Sequence, residues 1–220
     1  MKAEYVEHMG DDLSVVNAAR VSFDKESDYV CWESFDIPDK DKKLIQYLAS
    51  HGHWSPFAHA VVKFRFKAPI FVARQLVKHQ VGLTWNEISR RYVDSPPELY
   101  WPEKWRKKAA NVKQGSSEDE FTDGPDDTLY YAEAGARECV EAYENLIQEG
   151  MCPEQARMFL PQNTYTEWVW TGSLYAWARV FNQRTHLGAQ KETTELVKQI
   201  DPVMKKLFPV SWEVLTKTKE

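Results

Sequence analysis

Polar and apolar positions alternate most regularly between residues 61 and 67. Val62, Phe64 and Phe66 are apolar, and Lys63, Arg65 and Lys67 are charged. Period two is the repeat of a strand with one buried face, so this stretch is predicted to be β. Pro69 suits the first turn of a helix running to about His79. Before the strand, Leu44, Ile45, Tyr47 and Leu48 recur at helical spacing over residues 40–50, and His51-Gly52 ends that helix. The clearest helical stripe is Leu129, Ala132, Ala136, Val140, Tyr143 and Ile147. It predicts a helix from Thr128 to Glu149, with Asp126 or Asp127 as N-cap and Gly150 closing it. Pro153 opens a short helix holding Arg157, while Leu174, Trp177, Ala178 and Phe181 define the next. Residues 191–207 read as helix with a kink or restart at Pro202. Residues 94–127 are rich in Pro, Gly, Ser and Asp and read as a long irregular excursion. No internal repeat is visible.

Composition narrows the class. The 220 residues are 43% hydrophobic and 28% charged, enough for one domain with a substantial core or at most two small ones. A net charge of -5 argues against general binding to nucleic acid or to anionic membrane. Cys31, Cys139 and Cys152 form no CxxC pair and no Cys/His metal spacing, which points to a reducing, cytoplasmic compartment. The N-terminal MKAEYVEHMGDDLS has no apolar core of a signal peptide, and no run approaches the roughly 20 apolar residues that span a bilayer.

Candidate chemistry concentrates in residues 78–91, KHQVGLTWNEISRR. Gln75, Lys78 and His79 fall at i, i+3 and i+4, on one helix face. In an extended chain Glu87, Ser89 and Arg91 share a face, joining an acceptor, a hydroxyl and a guanidinium. Such a set suits a small anion carrying a polar ring, because arginine grips phosphate oxygens with a fork of donors. Arg90, Arg91, Arg157, Arg179 and Arg184 stand apart from the acidic runs, as a local anion pocket requires. The ordinary alternative is a solvated loop with surface charges. His51, His53 and His59 have no common metal spacing and read as a hydrogen-bonding loop, with a cofactor-lining loop as the other reading. Cys152 has no neighbouring base to make a reactive thiolate, and Ser89 has none to make it a nucleophile. Trp168, Trp170, Tyr175 and Trp177 are expected in the core. Neither GxGxxG nor GxxxxGK[ST] is present, so any dinucleotide is held by another device.

Four segments in order, MGDDLSVVNAARVSFDK, HGHWSPFAHAVVKFRFKAPIFVARQ, CPEQARMFLPQNTYTEWVWTG and FNQRTHLGAQKE, resemble flavin-dependent thymidylate synthase over nearly the whole chain. The resemblance implies a compact α/β (α+β) fold in one domain over residues 1–220, a mixed sheet flanked by helices, and a homotetramer with shared active sites. It implies FAD, with NADPH and 5,10-methylenetetrahydrofolate as co-substrates, in converting dUMP to dTMP. By that resemblance the dUMP pocket uses Gln75, Lys78, Glu87, Ser89, Arg90, Arg91, Arg157 and Arg184, and Arg184 is the catalytic group that polarises the uracil ring. The flavin side uses His53, Ser55, Lys78, His79, Gln80, Glu87, Ser173, Tyr175 and Arg179. No metal is implied. The signature Arg-His-Arg reads Lys78-His79-Gln80, its spacer to Ser89 has eight residues rather than seven, and Gly188 replaces a usual His. These departures resemble the divergent versions carried by bacteriophages and fall mainly on the flavin side. A pyrimidine-nucleotide flavoenzyme with another product, or a nucleotide-binding protein without flavin chemistry, are the other readings. Product mass separates the first and flavin colour the second.

Overall fold

The computed structural model of the protein describes residues 1–93, 95–110 and 115–217. Strands β1 (Lys2–Met9), β2 (Val61–Pro69), β3 (Leu83–Glu87) and β6 (Tyr165–Ser173) form one sheet in the order β1-β2-β6-β3, and β4 (Arg106–Lys108) pairs with β5 (Ser116–Glu120) in a separate ribbon. The helices are α1 (Asp12–Arg20), α2 (Asp39–Ser50), α3 (Ile70–Leu76), α4 (Thr128–Gln148), α5 (Pro153–Ala156), α6 (Leu174–Arg184), α7 (Lys191–Lys198), α8 (Asp201–Leu207) and α9 (Pro209–Thr216). No helix among the described residues is long and apolar enough to cross a membrane.

Every pairing in the sheet is antiparallel, which corrects the expected mixed sheet. The central register runs from Val61 opposite Ser173 to Pro69 opposite Tyr165, so β2 and β6 leave the sheet at opposite ends. Each continues at once into a helix. The two units share more than length: both strands bury alternate residues, and Pro69 and Ser173 cap their helices at the same φ of -68° and ψ of 154°. The backbone therefore repeats a strand-to-helix unit that residue identities conceal.

The buried face of β2 is Val62, Phe64, Phe66 and Ala68, and that of β6 includes Trp168 and Trp170. Phe66 stacks on Trp168 at 5.2 Å, Trp85 of β3 stacks on the same indole at 4.3 Å, and Trp177 of α6 meets Phe64 edge-on at 5.1 Å. Trp168, Trp170 and Trp177 thus form the core expected of them, whereas Tyr175 is only partly buried at its margin. Gly172 lets β3 approach, since a Cβ there would overlap the Leu83 side chain.

Sequence boundaries hold with instructive exceptions. Pro69 is the last strand residue and the N-cap rather than the first helical turn, and α3 stops at Leu76, before Lys78 and His79. Asp127 sits at the N-cap of α4 in a left-handed conformation, but neither it nor Asp126 supplies the capping oxygen. The Asp123 carboxylate accepts the Leu129 N–H at 2.8 Å and the Tyr130 N–H at 3.3 Å instead. The restart at Pro202 is found as the break between α7 and α8. Within the irregular excursion, residues 106–108 and 116–120 pair as the β4–β5 ribbon; Asp94 and residues 111–114 lie outside the described residues. At the far end, the Asp12 carboxylate accepts the N–H groups of Val210 (2.8 Å) and Ser211 (2.9 Å), tying α1 to the start of α9.

Candidate active site

The C-terminal ends of α3 and α6 meet at Arg184. Its Nε donates to His79 Nε2 at 2.9 Å and its Nη2 to the Gln75 carbonyl at 3.0 Å. Gln75 lies in the last turn of α3, where carbonyls lack helical partners, so a cation there is favoured by geometry and by the helix dipole. Burial, then the charges of Arg184 and Arg179, push the His79 imidazole down to about 4. His79 is therefore neutral at pH 7. Since Nε2 accepts from Arg184, its ring proton sits on Nδ1. Burial also lowers the pKa of Arg184 from its ordinary value.

Arg179 is the wall common to three cavities. One of about 180 Å³ is lined by Lys78, His79, Gln80, Arg184 and others. A second, of about 690 Å³, carries Trp54, Gly82, Thr84, Ser173 and Tyr175. A third, also about 690 Å³, adds His53, His186 and Asn182, and shares Trp54 and Tyr175 with the second. Ser173 both caps α6, accepting the Ala176 N–H at 3.3 Å, and lines the second cavity. Ser55 starts the turn over Pro56–Ala58, accepting the Ala58 N–H through its carbonyl at 3.0 Å.

A second group of arginines gathers at Glu154. Arg91 forms an ion pair with the Glu154 carboxylate, and Arg157 Nε donates to the Glu154 carbonyl at 3.3 Å. The sequence separates these residues by some sixty positions, and Glu154 itself was not anticipated. Among the described residues no hydrogen bond or ion pair joins this group directly to Arg184.

The expected shared face of Glu87, Ser89 and Arg91 is corrected. The strand ends at Glu87, and the chain turns, with Tyr92 N–H donating to Ser89 C=O at 3.0 Å and Arg91 N–H to Ser89 Oγ at 3.3 Å. A serine hydroxyl bonding two residues on competes with the ladder and breaks the alternation. Glu87 is held by Thr166 Oγ1 at 2.6 Å and Trp85 Nε1 at 3.1 Å, and Arg90 donates to the Ser95 carbonyl. The single helix face expected for Gln75, Lys78 and His79 also fails, since α3 ends too early; Gln75 and His79 are joined through Arg184 instead. His51 contacts Ser50 and Tyr47 and stacks on the Tyr47 ring at 4.0 Å. Cys31, Cys139 and Cys152 line none of the three cavities around Arg179. Besides Glu154, sequence reasoning missed Trp54, whose signal was a large aromatic exposed in the HGHWSP loop, and Gln190 with Thr193, which bond to the Gln75 carboxamide.

The profile of the family described as thymidylate synthase complementing protein matches residues 4–210. A flavin-dependent thymidylate synthase of Kosmotoga olearia is 38% identical over 94% of this chain and 86% of its own length. One from Thermus thermophilus is also 38% identical, over 94% of this chain and 72% of its own. Among solved structures, a UMP/dUMP methylase from Streptomyces cacaoi bound with 5-Br dUMP superposes with a TM-score of 0.80 at 29% identity, covering 98% of this chain and 94% of that one.

Proposed function

The chain belongs to the flavin-dependent thymidylate synthase family, and from that membership we propose that it methylates dUMP reductively to dTMP. Its one-carbon donor is 5,10-methylenetetrahydrofolate, its reductant NADPH and its cofactor FAD. The residues present fit a flavin. Trp54 and Tyr175 offer aromatic surface, Ser173 and the α6 N-terminus offer polar contacts, and Arg179 offers charge for a diphosphate. His53, Ser55, Lys78, His79, Gln80 and Glu87 complete the flavin side. Bound FAD supplies hydride transfer; the protein's part is placement, charge and exclusion of water.

The observation that carries the reading is Arg184 held between neutral His79 and the Gln75 carbonyl. Addition at uracil C6 drives negative charge toward the ring carbonyls. A guanidinium fixed in advance, beside an uncharged imidazole that does not compete for the same charge, stabilises that charge as it develops. Arg91 and Arg157 take the 5'-phosphate. The Glu154 carboxylate now on Arg91 stands in for a phosphate oxygen, and a dianion with several acceptors displaces it. Gln75, Lys78, Glu87, Ser89 and Arg90 complete the nucleotide pocket. Family membership supports a homotetramer whose sites draw on several copies of one domain spanning residues 1–220. The enzyme works in the cytoplasm on free nucleotides rather than nucleic acid.

An anaerobic assay with dUMP, NADPH, FAD and methylenetetrahydrofolate, read by product mass, tests the proposal. Product dTMP that vanishes when flavin is stripped is expected; dTMP formed without any flavin defeats it. The UMP/dUMP methylase likeness favours one second reading, a ribonucleotide methylase. Methylated UMP forming faster than dTMP in the same assay would establish it.

A further inference from the structure

The Gln75 carboxamide is one end of a directed chain of hydrogen bonds that ends at a buried carboxylate. Arg106, on β4, donates through Nη2 to Glu192 Oε1 at 2.7 Å. Gln190 Nε2 donates to Glu192 Oε2 at 3.0 Å, and Gln75 Nε2 donates to Gln190 Oε1. Thr193 Oγ1 donates to Gln75 Oε1 at 3.2 Å. An ionised carboxylate only accepts, so Gln190 must turn its NH₂ toward Glu192 and its oxygen toward Gln75. Gln75 must then turn its own NH₂ toward Gln190 and its oxygen toward Thr193. One charge fixes the orientation of two amides in series.

We propose that Glu192, clamped by Arg106 of the ribbon, is a positioning residue that sets which end of the Gln75 carboxamide faces the nucleotide. The inference rests on the placement of Gln75 in the dUMP pocket proposed above. Glu192 is 6% exposed, and its backbone and side-chain hydrogen bonds outweigh burial to hold its carboxyl below the ordinary value. Thr193 is fully buried, and its hydroxyl, able to donate or accept, follows the orientation that Gln190 imposes on Gln75. The ribbon therefore reaches the site through side chains and not merely by packing. Its other link to α7, Lys191 to Glu118 at 3.2 Å, lies on the surface and bypasses the relay.

Glu192→Gln keeps the shape but can present its oxygen to Arg106 and its NH₂ to Gln190, which inverts both amides. The expected result is a rise of about tenfold in the KM for dUMP, the worth of one hydrogen bond, with kcat changed less than about threefold. In a Gln75→Ala background the same substitution should change KM less than about twofold, because the relay has lost its end. Lys191→Ala, which breaks the surface link alone, should leave KM for dUMP within about twofold of the parent. Melting temperature and flavin content confirm folding, and if Glu192→Gln does not fold, Gln190→Met breaks the relay without touching the ion pair and is measured in the same cycle. An unchanged KM, or an equal rise with and without Gln75, overturns the inference while the proposed function stands. A folded, flavin-loaded parent that does not bind dUMP overturns both.

Discussion

Arg184 is held by a neutral imidazole and a backbone carbonyl, neither of which brings a counter-charge to it. Arg184→Ala should lower kcat by roughly 10²–10³-fold, the usual loss for one preorganised donor, with a smaller effect on dUMP binding. A loss confined to KM, with kcat intact, would move Arg184 off the ring. Arg91→Ala should weaken dUMP roughly 10- to 150-fold, the range for a charged hydrogen bond, and hardly affect deoxyuridine; equal losses for both would remove Arg91 from the phosphate. His79 gives a third test. An unfolded histidine titrates near 6.5 and folded His79 near 4, so between those values the unfolded chain binds more protons. Stability contributed by neutral His79 is present above about pH 6.5 and is lost as pH falls toward 4. His79→Gln, which keeps an acceptor for Arg184, should flatten the fall of melting temperature across that window; identical profiles would show His79 is not the titrating group. At this scale the sequence revealed residue types but not partners. Arg91 and Arg157 stood out as arginines set apart from the acidic runs, yet their meeting at Glu154 is a tertiary contact, and Gln190 carries no motif.

Elements were legible where one face is buried and the other wet. Residues 61–67 announced β2 because lysines and an arginine mark the solvent side. The β6 strand has the same alternation of burial, but Tyr, Glu, Val and Thr on its outer positions blur the contrast, and its tryptophans read only as core. Strand β1 is largely exposed, so no apolar period marks it. Helix α1 carries a capping box, Asp11 with Ser14, that the apolar stripes overshadowed. Two substitutions probe element joints. Gly172→Ala should lower stability by about 1–3 kcal/mol, typical of overpacking, because the new methyl must displace Leu83 and the β3 strand behind it. Asp123→Ala should cost about 1 kcal/mol as the loss of a helix cap, while Asp127→Ala should lose no capping bond. Denaturant melts that reverse the order of the two aspartates would place the cap where the sequence suggested it.

For the whole molecule, the proposed sharing of sites between copies predicts assembly. Light scattering should give about four times 25.7 kDa, and an active monomer would refute shared sites. The antiparallel sheet order also bears on how the chain is made. β2 and β3 both lie against β6, which is synthesised roughly a hundred residues after β2. At about 5–20 residues per second on the ribosome, Phe64, Phe66 and Trp85 wait roughly 5–20 s for the tryptophans that cover them. Newborn chains therefore carry β2 paired only along its β1 edge for nearly half of translation, and slowing elongation before Tyr165 should raise chaperone capture and inclusion-body formation without any change in the finished enzyme.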